Sequence, residues 1–253
     1  MIDIEKYSDL PQQGSPDWQR LRLGNFNASR ISELMGKGKK KEEYWSKTAL
    51  SYINEVAAER SLDMMMVAND DEFLEYLELV AVDNRYTRWG HLHEYEARDI
   101  YEAKHGVKVT EVSSIKHPDI DHYACSSDGL VVESNSGIEI KCPLPKTYWE
   151  WYNTIHDAAS LKAVKPEYYW QIMAQIDICD LDYVDFTPYC PLMAKPIFEV
   201  RIARDDDAIA QLRERVIAAN EVIAAVQPQP SPYKESTTPC SQQEAMAQLN
   251  IIE

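Results

Sequence analysis

Cysteine is scarce and unpatterned. Cys125, Cys142, Cys179, Cys190 and Cys240 are odd in number and show no C-x-x-C spacing, so neither a disulfide framework nor a zinc or iron–sulfur site is indicated. That usage fits a reducing compartment. No apolar run approaches the ~18 residues of a membrane span, and Met1-Ile2-Asp3-Ile4-Glu5-Lys6 lacks the basic-then-apolar order of a signal peptide. The expectation is a soluble, cytoplasmic protein with no membrane contact. Positive charge is also short: 26 Lys and Arg face 42 Asp and Glu, a formal net charge of -16. Phosphate neutralisation normally draws on Lys and Arg, so any polyanion would have to be held by basic residues gathered in one groove, with cations offsetting an acidic site. The run Lys37, Lys39, Lys40, Lys41 is a candidate patch, or simply a solvated loop.

What is present is core. Hydrophobic residues make up 45% of the 253 residues, with fifteen Tyr and six Trp, a composition that supports a folded domain. From Trp18 to Met35 a loop feeds a short helix capped at Asn27 or Ser29, with Ile31, Leu34 and Met35 as its apolar face. Helices are expected over Glu42 to Arg60, Asp71 to Val82 and Arg88 to His105, the last with Trp89, Leu92, Ile100 and Tyr101 on one side and Gly106 as its stop. Strands are expected at Val107 to Val112, Tyr123 to Cys125, Leu130 to Val132 and Ile138 to Lys141. Two aromatic-rich helices follow, Tyr148 to His156 and Glu167 to Cys179, the second opened by Pro166. Strands at Tyr183 to Tyr189 and Ile197 to Ile202 precede a long amphipathic helix, Ala208 to Val226. Pro228, Pro230, Pro232 and Pro239 then mark a linker. This gives a single folded domain over 1–226 and a tail over 227–253, ending in a short helix or frayed.

Chemistry is concentrated in one strand. Side chains alternate along a strand, so Glu139 and Lys141 share a face while Ile138 and Ile140 share the other. If the turn at Asn135 pairs this strand with Leu130 to Glu133, Asp128 converges on the same face. Asp128, Glu139 and the Ile140 carbonyl then offer hard oxygen ligands to a divalent cation, a set suited to phosphodiester hydrolysis with Lys141 orienting the attacking water. Glu-x-Lys alone is a weak signal, since exposed strands carry such pairs. This pair lies in an apolar strand, after Asp128-Gly129 and before Cys142-Pro143, which does not read as an ordinary exposed edge. His91 and His93, two apart on a helix, do not share a metal site. Aromatic neighbours such as Trp149 and Trp151, or Tyr168, Tyr169 and Trp170, read as core or as base-stacking surfaces.

Trp18-Gln-Arg-Leu-Arg22-Leu-Gly24, Ala28-Ser29, Trp89-Gly90, Glu94, Ala97-Arg98, Cys125-Ser126, Asp128-Gly129-Leu130 and Glu139-Ile-Lys141-Cys-Pro143 together resemble the lambda-exonuclease-type alkaline exonucleases, the YqaJ-like viral recombinase group of PD-(D/E)XK nucleases. The ordered match runs from about residue 16 to 190. The resemblance implies an α/β fold with a central mixed sheet flanked by helices. It also implies Asp128 and Glu139 as metal ligands, Lys141 as catalytic lysine, Glu94 as an acid from the preceding helix, and a helical glutamine, Gln171 or its competitor Gln175. Arg22, Ser29 and Ser126 match positions associated with a terminal 5′ phosphate, as a guanidinium and two hydroxyls suit. Ser127 stands where the family often has Pro before the metal-binding Asp, and the literal Pro118-Asp119 is a decoy.

The function so implied is Mg²⁺- or Mn²⁺-dependent 5′ to 3′ hydrolysis of one strand of linear double-stranded DNA, leaving 3′ single-stranded overhangs for phage-type recombination. A ring-shaped homotrimer, DNA ends as substrate, a single-strand annealing recombinase as partner and a bacterial host cytoplasm come with it. Two alternatives stay open. One is a structure- or sequence-specific endonuclease on the same site; the other is a catalytically inactive DNA-binding module, against which the intact Asp128, Glu139, Lys141 set argues.

Overall fold

The structure, a computed structural model, describes residues 10–38, 40, 43–81 and 85–226, with side chains of 85–87 left aside. The run of lysines lies partly outside these residues, and the tail over 227–253 wholly so. Helices α1 (Pro16–Arg22) and α2 (Lys47–Arg60) flank strand β1 (Phe26–Asn27) and a 3-10 helix, Ala28–Met35. Then come α3 (Met64–Ala68), α4 (Asp70–Val80), α5 (Arg85–His105), β2 (Ile115–Lys116), β3 (Tyr123–Cys125), β4 (Gly129–Val131) and β5 (Ser136–Lys141). The chain continues through α6 (Pro145–Thr154), α7 (Ala158–Val164), α8 (Pro166–Cys179), β6 (Tyr183–Pro188), β7 (Val200–Ala203) and α9 (Asp206–Val226).

Among the described residues two sheets form, one of three strands in the order β1-β3-β2 and one of four in the order β4-β5-β6-β7. The larger is mixed. Strands β4 and β5 pair antiparallel and β5 and β6 parallel, the parallel pair requiring the crossover that α6, α7 and α8 provide. Asn135 makes the β4–β5 turn with φ 47° and ψ 47°, the left-handed region that Asn tolerates. Gly129 opposite Ile138 is required for packing: a Cβ there would lie 2.1 Å from the Val109 side chain.

Helix α8 is the centre of the molecule. It contacts strands of both sheets, the 3-10 helix and α9, and every residue from Tyr169 to Cys179 is buried, as a helix without a solvent face must be. Its polar members therefore need partners, and Asp177 has them: Arg213 donates from Nε at 2.9 and 3.1 Å and from a terminal nitrogen at 2.6 Å. On the other side of β5, Ile138 and Ile140 pack with Ala97 and Tyr101 of α5 in a second apolar cluster. The sheet is thus covered by helices on both faces, the α/β arrangement expected from the sequence.

Several elements differ from the sequence reading. Val107 to Val112 is not a strand; it makes one isolated bridge, Thr110 to Leu130, because α5 and the sheet bury Val109 and Val112 as a loop. Helix α1 occupies part of the expected N-terminal loop, started by Ser15 capping the Trp18 amide with Pro16 in the first turn. Asn27 precedes the 3-10 helix but makes no side-chain cap. Helix α2 begins only at Lys47, where Ser46 caps Ala49. Leu92 is 60% exposed and does not join the buried side of α5. Helix α7 lacks a long apolar repeat and is instead held by the Asp157–Ser160 capping box.

Candidate active site

Register brings the acids together. Pairing of Gly129 with Ile138 sets Asp128 across from Glu139, and the Ile140 amide donates to Asp128 Oδ2 at 2.7 Å. Glu139 is fully buried, and Lys141 Nζ donates to its Oε1. Its two oxygens also receive Gln171 Nε2 at 2.7 Å and Gln175 Nε2 at 2.6 Å. Four residues apart, both glutamines lie on the face of α8 turned toward β5. The choice between them dissolves: each holds one oxygen of the same carboxylate.

Burial pushes the Asp128 carboxyl well above the usual carboxylate range; Glu139 and Glu94 add to the rise and Lys141 opposes it. Burial disfavours the charged form of Lys141, yet Glu139, Asp128 and Tyr168 outweigh it and hold the ammonium above its ordinary value. The carboxylates repel one another with one lysine between them, a deficit of positive charge that a cation would offset. Among the described residues, no three His, Cys, Asp or Glu side chains stand close enough to hold an ion by themselves. Two carboxylates and the Ile140 carbonyl are hard oxygen donors of the kind that could hold a divalent cation if completed by further oxygen ligands. Gln175 Oε1 is buried without a partner beside them.

A cleft of about 770 Å³ opens over this point, lined among others by Ser29, Glu94, Lys141, Lys146, Tyr168 and Gln171. Glu94, one-third exposed, reaches it from α5, its Oε2 3.8 Å from His91 Nδ1. Tyr168, which the sequence offers as core or as a base-stacking surface, lines the cleft, and its ring lies 5.2 Å from Lys141 Nζ. The aromatic run alone did not tie it to Lys141.

At the Ser29 wall a second group assembles. Arg22 donates to Ser29 Oγ at 3.1 Å and to Ser126 Oγ at 3.3 Å, which brings Ser126 from about a hundred residues away beside the other two. Trp18, one turn before Arg22, donates to Ser126 Oγ at 3.0 Å and lies under the guanidinium at 4.5 Å. The i, i+4 spacing on α1 was the available signal. Arg22 meets no carboxylate at ion-pair distance among the described residues; burial pulls its pKa below the ordinary value, with Tyr52, Cys125 and Glu59 opposing. Pro118-Asp119 lies apart from this site, its Asp119 amide donating to His117 Nδ1 at 3.0 Å. His91 and His93 engage different partners, Glu94 and Glu96.

Comparison with known proteins follows the same lines. The YqaJ-like viral recombinase domain matches residues 17–182. Among solved structures, an alkaline exonuclease (LHK-Exo) from Laribacter hongkongensis is 29% identical over 83% of this chain and 93% of its own, with a TM-score of 0.66. The same enzyme in complex with dAMP superposes with a TM-score of 0.67 at the same identity and coverage. A phage related exonuclease from Haemophilus somnus 129PT shares the fold at 18% identity, 79% and 94% coverage and a TM-score of 0.58. No curated protein sequence matches the chain significantly.

Proposed function

From the premise that the chain belongs to the YqaJ-like viral recombinase family, we propose that this nuclease is a Mg²⁺- or Mn²⁺-dependent exonuclease. It removes one strand of linear double-stranded DNA in the 5′ to 3′ direction and leaves 3′ overhangs for recombination. The observation that carries this reading is the continuity of one cleft, from Ser29, bonded to Arg22, to Lys141, bonded to Glu139. An end-binding handle and a hydrolytic centre share one wall.

In this reading Asp128, Glu139 and the Ile140 carbonyl would hold the metal, which would supply acidification of water and an offset to charge on the scissile phosphate. Gln171 and Gln175 fix the Glu139 carboxylate. Lys141 orients the attacking water and stabilises the negative transition state. Glu94 faces the same space as a further acid. Arg22, Ser29 and Ser126 bind the terminal 5′ phosphate, which sets the position of the scissile bond.

The domain spans 1–226 with 227–253 as an appended tail, and the chain works in a bacterial host cytoplasm as a homotrimer beside a single-strand annealing recombinase. A trimer would gather the few basic residues of a chain of charge -16 around shared DNA. No helix among the described residues is long and apolar enough to cross a membrane. The deciding experiment is incubation of linear duplex, labelled at its 5′ or 3′ ends, with Mg²⁺, with closed circular duplex as control. Early release of the 5′ label and an intact circle are expected; internal cuts in the circle would defeat the exonuclease reading, and light scattering that finds only monomer during processive digestion would defeat the trimer.

A further inference from the structure

Helix α6 leaves the active strand with one side open. Lys146 and Thr147 in its first turn line the cleft. One turn on, Trp149 is 59% exposed, and its ring stacks beside Tyr152 at 6.1 Å and 18°. Lys195 stands over the same Tyr152 ring at 5.0 Å and donates to its hydroxyl at 3.0 Å. That lysine is held in place by its own backbone, whose carbonyl accepts the Tyr148 hydroxyl at 2.7 Å. Lys146, Trp149 and Tyr152 follow at three-residue steps, so cation, bare aromatic face and cation-topped aromatic run along one side of the helix.

Local charge is balanced where the chain as a whole is acidic. Residues 139–170 hold four lysines (141, 146, 162, 165) against four acids (139, 150, 157, 167), a net of zero in a chain of -16, and Glu139 is taken up by Lys141. The same stretch carries the cation–aromatic pairs of Lys162 with Tyr169 and Trp170, at 4.5 and 4.9 Å. An exposed π-face flanked by ammonium groups suits unpaired bases and their phosphates. A duplex hides the faces of its bases, and an apolar protein partner would need contiguous apolar neighbours where this face has exposed Lys146, Asn153 and Lys195.

We propose that this face of α6, with Lys195 above it, is a track for a single nucleic-acid strand next to the cleft, with a base stacked on Trp149. The proposal rests on the nuclease reading and extends it, since digestion of one strand of a duplex frees the other. The recognition is of base faces and phosphates, so it tolerates sequence.

The test is anisotropy of a fluorescent oligothymidylate with wild type, Trp149→Ala, Trp149→Phe and Lys195→Ala in chelator, where no hydrolysis occurs. Trp149→Ala weakens binding about tenfold and Trp149→Phe restores most of it. Lys195→Ala weakens it and lowers the salt slope by about one. Digestion of linear duplex by the wild type with Mg²⁺ is followed in parallel: no digestion would remove the nuclease reading and leave the binding result standing. Unchanged affinity in Trp149→Ala overturns the track, as does a loss that Trp149→Phe does not relieve. Unchanged affinity with an altered mass by light scattering would give the face to a second copy of the chain instead.

Discussion

Gln175 Nε2 lies 2.6 Å from Glu139 Oε2, a side-chain bond inside the core between a helix and the strand it covers. With Gln171 on the other oxygen, Glu139 is locked in one rotamer. Groups that orient a ligating carboxylate usually matter by about 10–100-fold in metal affinity or activity. Gln171→Leu and Gln175→Leu should each reduce the rate of duplex digestion by roughly that range and raise the Mg²⁺ needed for half-maximal rate. A rate and metal requirement equal to wild type in both folded variants would show that Glu139 needs neither.

Asp128→Ala, Glu139→Ala and Lys141→Ala should each abolish hydrolysis with circular dichroism unchanged, since each removes a ligand or the ammonium beside it. Mg²⁺ and Mn²⁺ should restore chelated enzyme. Ca²⁺ should bind without supporting comparable turnover, because it takes longer and more numerous oxygen contacts. Full activity in excess chelator, or in pure folded Lys141→Ala, would defeat the metal mechanism.

The central strands and the Glu139–Lys141 face were legible because burial forces an apolar run and alternation fixes which residues share a side. Helix α8 was legible as a helix, yet its meaning was not. Periodicity placed Gln171 and Gln175 one turn apart, but only tertiary packing shows that both reach one carboxylate. The loop over Val107 to Val112 was misread because alternation of buried residues also arises where an irregular segment lies on a sheet. Arg22, Ser29 and Ser126 meet through pairing of β1 with β3, a long-range contact that local pattern does not encode. The family resemblance carried that grouping where spacing could not.

Arg213→Ala should destabilise the fold while leaving the site intact. Asp177 is buried on α8, within 2.6 Å of a guanidinium nitrogen and 3.7 Å from His117 Nε2. Burial lowers the His117 pKa, with Asp177 opposing and Arg213 adding to the fall, so removing Arg213 relieves part of that depression and the loss should be larger at alkaline pH than at acid pH. Stranding a buried carboxylate costs about 3–5 kcal/mol, and the partial exposure of Arg213 reduces that to an order of 2 kcal/mol. Urea unfolding measures it directly. A midpoint unchanged from wild type would mean that Asp177 finds another partner.

Arg22→Ala tests the end-recognition reading. The Arg22 side chain is half-buried, rests on Trp18 and donates only to the hydroxyls of Ser29 and Ser126 among the polar contacts resolved for it. A half-buried cation satisfied only by neutral groups retains an unspent attraction for an anion. A terminal phosphate carries more charge and more acceptor oxygens than an internal diester, and a planar guanidinium holds it bidentately. Charge-assisted hydrogen bonds contribute about 1.5–3 kcal/mol, so wild type should digest 5′-phosphorylated duplex roughly tenfold or more faster than 5′-hydroxyl duplex at subsaturating substrate. Arg22→Ala should lose most of that preference, and Arg22→Lys should keep the charge without the bidentate geometry and fall between. Ser29→Ala should give a smaller loss, since it removes one hydroxyl. The measurement is initial rate on matched linear duplexes differing only in the terminus. Equal wild-type rates on both, or an unchanged ratio in Arg22→Ala, would remove Arg22 from end recognition and leave its contact with Ser29 as a bond that only ties α1 to the 3-10 helix.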